Sequence, residues 1–193
     1  MLVFDPICAL ATPPGAAGLA IVRLSGTDCF LIADKLFHGK TTLQAAKSHT
    51  ILYGTFYKGT MPIDQVTAFI YRAPNSYTGE DVVEFGCHGG QIVSEEIVEA
   101  LIEAGARHAM PGEFTKRAFL NQKMDLTQAE AVGDIIHAVS VQGSHAAARQ
   151  LMGGFTKRLG ELREKLMELC GLLELELDFS QEDIELIDKR LLA

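Results

Sequence analysis

Several protein classes are excluded by what this chain of 193 residues lacks. None of its four cysteines forms a Cys-x-x-Cys pair, so neither a zinc site nor a disulfide framework is predicted. It has no run of 18 apolar residues, and no basic segment followed by an apolar core opens it. Neither a membrane-spanning helix nor a secretory signal is therefore predicted. Together these absences predict a soluble protein of the reducing cytoplasm.

An excess of basic charge is also missing. The chain carries 17 Lys and Arg against 25 Asp and Glu, a formal net charge of −8, which excludes a basic nucleic-acid clamp spanning the whole molecule. Seven of the acidic residues lie between Glu174 and Asp188, with no basic residue among them. Such a run is typical of a solvated face and is not read as a site.

The catalytic motifs that this sequence approaches are all incomplete. His88 precedes two glycines, as in the oxyanion loop of lipases, but no Gly-x-Ser-x-Gly elbow occurs. Cys87 and His88 cannot form a thiol dyad within a strand, because adjacent side chains point to opposite faces. The spacing of Gly54 and Gly59 suits a phosphate loop, but Lys and Ser/Thr do not follow, and no Asn-Lys-x-Asp is present. No nucleotide-triphosphate site is predicted.

A composition break divides the chain. All six prolines lie at or before Pro111, and 12 of the 14 aromatic residues lie at or before Phe119. Beyond this point the mixture of helix-like and strand-like patterns ends, and long runs of Ala, Leu, Glu and Gln follow. We therefore predict one domain over residues 1–120 and the start of a helical domain over 121–193.

The first domain has the patterning of mixed α and β structure. The expected elements, in chain order, are a buried strand at 19–26, a helix at 27–39 ended by Gly39, a hairpin of 51–59 and 64–73 with its turn at 60–63, a strand at 81–88 and an amphipathic helix at 91–106.

The second domain has helical patterning only. Thr127 and Glu130 have the spacing of a capping box, which predicts a helix starting at Thr127. A second helix is predicted from an apolar seam with alternating steps of four and three, formed by residues 155, 159, 162, 166, 169 and 173. A seam of this length indicates packing in a bundle or against a second copy of the chain.

Three charged residues stand where predicted loops meet regular elements: Arg23, Glu80 and Lys123. A carboxylate can accept two parallel N–H bonds from a planar amidine-like edge, and an Arg or Lys can bind a ligand carboxylate. A pterin with a glutamate tail offers both kinds of group. We expect the Lys123 backbone to be anchored by the following helix and its side chain to reach outward. We expect the Glu80 carboxylate to add little to stability.

Three segments carry a family resemblance. ATPPGAAGLAIVRLSG (11–26), PNSYTGEDVVEFGCHGG (74–90) and RHAMPGEFTKRAFLNQKMDLTQAEAVGDII (107–136) resemble, in order and spacing, the amino-terminal motifs of the MnmE (TrmE) family of tRNA-modification GTPases. LCGLLELELDFSQEDIEL (169–186) is similar to the family's helical domain. The resemblance thus covers essentially the whole chain.

The resemblance implies an α+β fold. A folate-binding domain like that of the glycine-cleavage aminomethyltransferases would be followed by long helices of a helical domain, into which the family inserts a GTPase domain. Expected partners are a second copy of the chain through the first domain, the FAD-dependent MnmG, and tRNA, with no membrane. The expected cofactor is 5-formyltetrahydrofolate or another tetrahydrofolate. GTP, Mg²⁺ and K⁺ would act only in the full-length protein, and this chain alone would neither bind nor hydrolyse GTP.

The resemblance also assigns residues. The family's folate contacts correspond to Arg23 in VRLSG, Glu80 in TGED and Lys123 in NQKMD, while Gly89 and Gly90 would allow a close approach of backbone and helix start. Nothing assigns a role to His88. Two alternatives remain open: a stand-alone folate-dependent one-carbon transferase with Asp81 as its acid or base, and a purely structural dimerisation unit.

Overall fold

Two compact units make up the chain. The computed structural model describes residues 5–178. It divides the chain into an α/β unit, Met1–Asp125, and a helical unit, Leu126–Ala193. The division falls five residues after the predicted end of the first domain at residue 120. No helix within the described residues is both long enough and apolar enough to cross a membrane.

The α/β unit is built on one seven-stranded sheet. Its elements in chain order are β1 (Ile7–Leu10), β2 (Ala17–Ser25), α1 (Cys29–Asp34), β3 (Phe37–Gly39), β4 (Thr50–Lys58), β5 (Met61–Tyr71), β6 (Val82–Gly89), α2 (Gln91–Glu103), β7 (Arg107–His108) and α3 (Glu113–Leu120). The strand order is β3-β4-β5-β6-β2-β1-β7, and all neighbours are antiparallel except the parallel pair β1 and β7. The expected α+β class is confirmed.

The two faces of the sheet differ. In β2, Val22 and Leu24 are fully buried in the main core, which α1 and α2 complete on one face of the sheet. The alternate residues point to the other face, as the twofold period of a strand requires. There Leu19 is 56% exposed, and across the sheet Ile51 and Tyr53 of β4 are 62% and 63% exposed. We call the part of this side around Leu19, Ile51 and Tyr53 the uncovered face; Ser25 and Val82, at the other end of the same side, are buried.

Gly86 of β6 lies at the centre of the uncovered face. A β-carbon at this position would come within 2.6 Å of the Thr67 hydroxyl oxygen and 3.3 Å of the Phe69 ring. Leu19 is the next neighbour, at 3.6 Å. Because glycine has no side chain, the Phe69 and Leu19 side chains can lie over the strand at this point.

The hairpin prediction is confirmed, with a shorter turn. β4 and β5 pair from Thr50 opposite Ile70 to Lys58 opposite Met61. The turn is Gly59–Thr60 rather than 60–63, and Gly59 adopts a φ of 61°, which glycine reaches without steric cost.

The helix predicted over 27–39 is too long. The α1 helix ends at Asp34, and Phe37–Gly39 instead forms the edge strand β3 against β4. The Asp34 carboxylate accepts hydrogen bonds from the backbone N–H groups of Leu43 and Gln44, at 2.6 and 3.0 Å, which ties the following loop to the end of the helix. The Phe37 ring enters the core beside Phe85, with ring centroids 6.2 Å apart.

The helical unit contains α4 (Leu126–Ile136), α5 (Val141–Leu151) and α6 (Gly154–Asp178). The capping box predicted at Thr127 and Glu130 is wrong, because α4 already begins at Leu126. The Thr127 hydroxyl lies inside that helix and hydrogen-bonds the Thr156 hydroxyl at 2.9 Å. Only two apolar side chains of this unit, Ala131 and Ala147, are buried among the described residues.

The predicted apolar seam lies on α6. Its members Phe155, Leu159, Leu162, Leu166 and Leu173 are between 45% and 55% exposed within the described residues. The acidic run between Glu174 and Asp188 lies largely outside the described residues.

Candidate folate site

The loop between β5 and β6, residues 74–80, is fixed by short hydrogen bonds. The Ser76 hydroxyl donates to the Glu80 backbone oxygen at 2.6 Å, and the Asn121 side-chain amide donates to the Thr78 backbone oxygen at 2.8 Å. Inside the loop, the fully buried Thr78 hydroxyl lies 2.8 Å from that of Ser25. The loop is therefore anchored both to the sheet and to the end of α3.

Glu80 is buried, with only 3% of its surface exposed. The Ser25 hydroxyl donates to Glu80 Oε2 at 2.6 Å, and Arg117 Nη1 lies 3.2 and 3.4 Å from the two carboxylate oxygens. A buried carboxylate is stable in its charged form only with such partners. The expectation that Glu80 contributes little to stability is therefore wrong.

Arg117 is the centre of this charge network. Its side chain is 2% exposed, and besides Glu80 it donates to Asp5 Oδ1 at 2.9 Å, to the Asp5 backbone oxygen at 2.7 Å, and to Glu113 Oε1 at 3.0 Å. It thus connects the amino-terminal segment, the 74–80 loop and α3 through one guanidinium group.

Arg107 extends the network toward solvent. It forms paired contacts with the carboxylates of Glu113, at 2.8 and 3.0 Å, and of Asp5, at 2.8 and 3.3 Å. Its hydrogen bonds are the largest cause of the low pKa of Glu113, about 2, and they also lower the pKa of Asp5. Both carboxylates are therefore held in their charged form.

Arg23 lies on the same side of β2 as Leu19, beside the Tyr77 and Phe114 rings. Its Nε donates to Glu84 Oε1 at 2.7 Å, across the sheet from it in register, and its side chain stays 21% exposed. The guanidinium carbon lies 4.9 Å from the centroid of the Tyr77 ring and 5.3 Å from that of Phe114. A cation between two aromatic rings is held in place without losing all its donors.

Lys123 lies against the same loop. Its Nζ donates to the Pro74 backbone oxygen at 2.9 Å, and a β-carbon added at Gly79 would lie 3.2 and 3.3 Å from Lys123 Cγ and Cδ. Its backbone N–H bonds to the Ala118 oxygen. Lys123 is therefore anchored by the preceding helix α3 rather than by α4, and its exposed side chain follows the loop instead of reaching freely outward.

The three predicted residues thus surround one loop. Glu80 ends it, the Lys123 stem crosses it, and Arg23 stacks on its Tyr77. Sequence reasoning missed Arg117, which forms the ion pair with Glu80, and Phe114, whose ring lies beside the Arg23 guanidinium. Both lie inside the quoted segment 107–136, but no local pattern distinguishes them from ordinary residues of a helix.

Asp81, the candidate acid or base of the alternative reading, closes the same loop. Its carboxylate accepts a hydrogen bond from the Ala73 backbone N–H at 2.9 Å, and its backbone oxygen accepts one from Gly26 N–H at 3.1 Å. The first contact joins the two ends of the loop, and the second ties the loop to the residue after β2, so both give Asp81 a structural role.

Cys87 and His88 diverge as strand geometry predicts. Cys87 is 2% exposed in the core, and burial raises its pKa to about 11, which suppresses the reactive thiolate. The His88 side chain is 76% exposed, and its Nδ1 lies 2.8 Å from Asp64 Oδ1. Gly89 approaches β2 closely, since a β-carbon there would lie 2.5 Å from the Ala17 oxygen. A β-carbon added at Gly90 would meet nothing closer than 3.8 Å, so Gly90 makes no such close approach.

The side chains around the loop suit some parts of a folate molecule but not all of them. Lys123 and Arg23 are accessible cations, and the Tyr77 ring offers a flat surface, so a glutamate tail and a flat ring system have partners here. Glu80 does not fit as a surface ligand, because its carboxylate is already occupied and buried. Within the described residues, no group of three or more His, Cys, Asp or Glu is placed to hold a metal ion.

Comparison with protein families supplies two matches in chain order. Residues 6–123 match the family model described as GTP-binding protein TrmE N-terminus, and residues 126–193 match the MnmE helical domain. These two matched ranges meet where the structure divides the chain into its two units.

Curated relatives agree with these family matches. A protein of Chlorobium luteolum named tRNA modification GTPase MnmE is 50% identical over 184 residues, which is 93% of this chain and 39% of the relative. Proteins of the same name from Salinibacter ruber and Parabacteroides distasonis are 51% and 46% identical, over 96% and 95% of this chain and 40% and 41% of theirs. The chain spans about two fifths of the length of these relatives.

Proposed function

The chain belongs to the MnmE family, and from that premise we propose that it is the folate-binding and dimerising amino-terminal part of a tRNA-modification GTPase. The observation that carries the proposal is the arrangement around the 74–80 loop, where two accessible cations flank the loop and a stacked aromatic ring. Cations and a flat apolar surface are the groups needed to hold a ring with carboxylates attached.

In this proposal Lys123 and Arg23 bind the carboxylates of 5-formyltetrahydrofolate or another tetrahydrofolate, and the Tyr77 ring packs against its flat part. Glu80 accepts hydrogen bonds from the pterin edge. Because Glu80 is 3% exposed, that contact requires a rearrangement that exposes at least one carboxylate oxygen while Arg117 stays bonded to the other. Both oxygens have lone pairs for a second donor.

The bound folate would supply the one-carbon unit for an aminomethyl-type group at C5 of the wobble uridine. The residues of this chain would bind and orient it, and no acid or base among them is assigned. The tRNA, the partner MnmG, and GTP with Mg²⁺ and K⁺ belong to the full-length protein in a cytoplasmic complex. This chain alone is expected neither to bind nor to hydrolyse GTP, and micromolar binding in a titration would overturn that expectation.

Titration calorimetry with 5-formyltetrahydrofolate tests the folate site. Lys123→Ala should weaken binding by about 1–2 kcal/mol, or roughly 5- to 30-fold, because an exposed point charge is lost. The loss should shrink as salt is raised. Lys116→Ala is the matched control, since Lys116 is an exposed lysine of α3 for which the structure shows no hydrogen bond or ion pair to the loop. Equal effects of the two variants, or no folate binding by the parent, would refute the site.

The uncovered face supports the dimer. Leu19, Ile51 and Tyr53 expose more than half of their side-chain surface on a side of the sheet that neither α1 nor α2 covers. A symmetric pair would bury the same patch on both copies.

Light scattering of two matched variants tests that dimer. Ile51→Glu should give a monomer at tens of micromolar, because it places a charge in the proposed interface. Ile92→Glu should remain dimeric, because Ile92 is even more exposed, at 73% against 62% for Ile51, but lies on α2, on the opposite side of the sheet. A monomeric parent, or loss of the dimer in both variants, would remove the uncovered face as the interface.

A stand-alone one-carbon transferase is the second candidate, and Asp81 would be its acid or base. The hydrogen bond from Ala73 N–H to Asp81 favours a structural role instead. A one-carbon transfer assay on this chain with a bound tetrahydrofolate decides between the two, since turnover would favour the transferase.

A further inference from the structure

A cavity of about 250 Å³ lies between α5 and α6 of the helical unit. Three residues of each helix line it: Ala146, Arg149, Gln150, Gly154, Phe155 and Arg158. Its volume lies below the roughly 300–1,000 Å³ typical of sites for drug-sized ligands, so it suits a small group rather than a whole cofactor.

The turn between the two helices explains why these residues meet. Gly153 has a φ of 80°, its N–H bonds to the Gln150 oxygen, and its own oxygen accepts the N–H of Lys157. One glycine thus ends α5 and begins α6. Arg149, in the last turn of α5, is brought beside Arg158, in the second turn of α6.

Both charged residues that line the cavity are arginines. Residues 135–160 contain three Lys or Arg and no carboxylate, in a chain whose net charge is −8. No carboxylate lines the cavity, and among the described residues neither Arg149 nor Arg158 forms an ion pair. Two arginines without a carboxylate partner therefore line one cavity.

The start of α6 carries no acidic side chain in its first turn. A helix start carries partial positive charge, so an anion close to it is stabilised. Arg149 has an ordinary explanation as a cation near the end of α5.

We propose that this cavity binds a phosphate group of RNA, held by Arg149 and Arg158, with the adjoining sugar or base on the half-exposed Phe155 ring. That the phosphate comes from RNA rests on the proposed role in tRNA modification. The phosphate chemistry itself rests on the cavity and its two arginines.

Fluorescence anisotropy with a labelled RNA hairpin, over a salt series, tests the proposal on the full chain. The variant Arg149→Gln/Arg158→Gln removes the two cavity charges. The matched control Arg163→Gln/Lys165→Gln also removes two charges, both from α6 and both outside the cavity. The cavity variant should bind RNA about tenfold more weakly than the control. The slope of log affinity against log salt should fall by about 0.7–0.9, as for one lost phosphate contact.

Equal losses in the two variants would overturn the proposal, because overall charge would then explain the binding. Absence of RNA binding by the parent chain would overturn it as well. A parallel titration with inorganic phosphate separates the sources: phosphate binding that depends on Arg149 and Arg158, with RNA binding unchanged, would assign the cavity to free phosphate and refute the RNA proposal. Folate affinity of the cavity variant should equal that of the parent, so loss of the folate site and loss of this site give different results.

Discussion

The α/β unit and the helical unit differ in how much apolar surface they bury by themselves. Large side chains such as Leu24, Phe56 and Phe85 are fully buried in the first, and its buried cation Arg117 has carboxylate partners. In the second, the buried apolar side chains of the described residues are two alanines, and five members of the α6 seam are about half exposed. The α/β unit therefore has a core that can hold a site in place, whereas the described helices offer mainly surface.

The largest difference should follow removal of Arg117. Arg117→Ala leaves Glu80 buried without its cationic partner, which should cost the α/β unit about 3–5 kcal/mol. The chain has no tryptophan, and all four tyrosines (Tyr53, Tyr57, Tyr71, Tyr77) lie in the α/β unit. Tyrosine fluorescence during urea unfolding therefore reports this unit alone. A cost below 1 kcal/mol would contradict the burial of the pair. Arg163→Ala, on α6, is the control and should leave the tyrosine transition unchanged.

A matched pair of leucines probes the two units directly. Leu24→Ala removes a fully buried side chain and should cost about 2–5 kcal/mol. Leu162→Ala removes a side chain that is 55% exposed and should cost less than about 0.5 kcal/mol, partly because alanine is the best helix former. Urea unfolding followed by tyrosine fluorescence for Leu24 and by circular dichroism for Leu162 gives both values. Similar costs would mean that the seam is covered in solution.

Acid should weaken the α/β unit through its charge network. The pKa of Glu113 is about 2 in the folded chain against 4.5 ordinarily, and the pKa of Asp5 is also lowered. A carboxylate whose pKa is lowered by folding stabilises the folded chain at pH values above its unfolded pKa. This stabilisation is lost as the pH falls from about 4.5 toward 2. Because water reaches the pairs, we expect a loss of about 1–2 kcal/mol between pH 6 and pH 3.

The variant Glu113→Gln isolates that pH effect. It should be less stable than the parent at pH 6, and its stability should change less on going to pH 3. Urea midpoints from tyrosine fluorescence at the two pH values measure both quantities. An identical pH dependence of parent and variant would show that other groups govern the acid response.

The smallest effect is expected in the helical unit. The Ser140 hydroxyl caps α5 by accepting the Gly143 N–H at 3.1 Å, so Ser140→Ala should cost about 0.5–1 kcal/mol of helix stability. Ser140→Asp retains a cap and should be neutral. Thermal unfolding followed by circular dichroism compares the variants, and equal values for Ala and Asp would argue that the cap does not matter.

Local patterns predicted the elements whose pairing is local. The β4–β5 hairpin and α2 follow from alternation, helical spacing and glycines at their ends. β1 and β7 were missed, because strands of four and two residues carry little pattern and pair across about a hundred positions, from Ile7 to Arg107. The α1 helix was extended too far, because helical spacing continues through Phe37 while the core requires that ring in a strand.

Site residues could be selected from sequence, but their surroundings could not. Arg23, Glu80 and Lys123 were chosen through the family resemblance, and the structure places all three around one loop. The partners of Arg117 are Asp5, Glu80 and Glu113, which lie 112, 37 and 4 positions away along the chain. A contact of that kind has no local signal, so the burial of Glu80 was not predictable.

The position of β1 has a consequence for synthesis on the ribosome. β1 is not an edge strand but lies between β2 and β7, and the adjacent Asp5 bonds to Arg117. β1, the first described strand of this unit, therefore leaves the ribosome about a hundred residues before its second neighbour exists. Until then β1 can pair only with β2, and one of its edges stays open. The amino terminus is thus the first part of the α/β unit to be made and among the last to be completed.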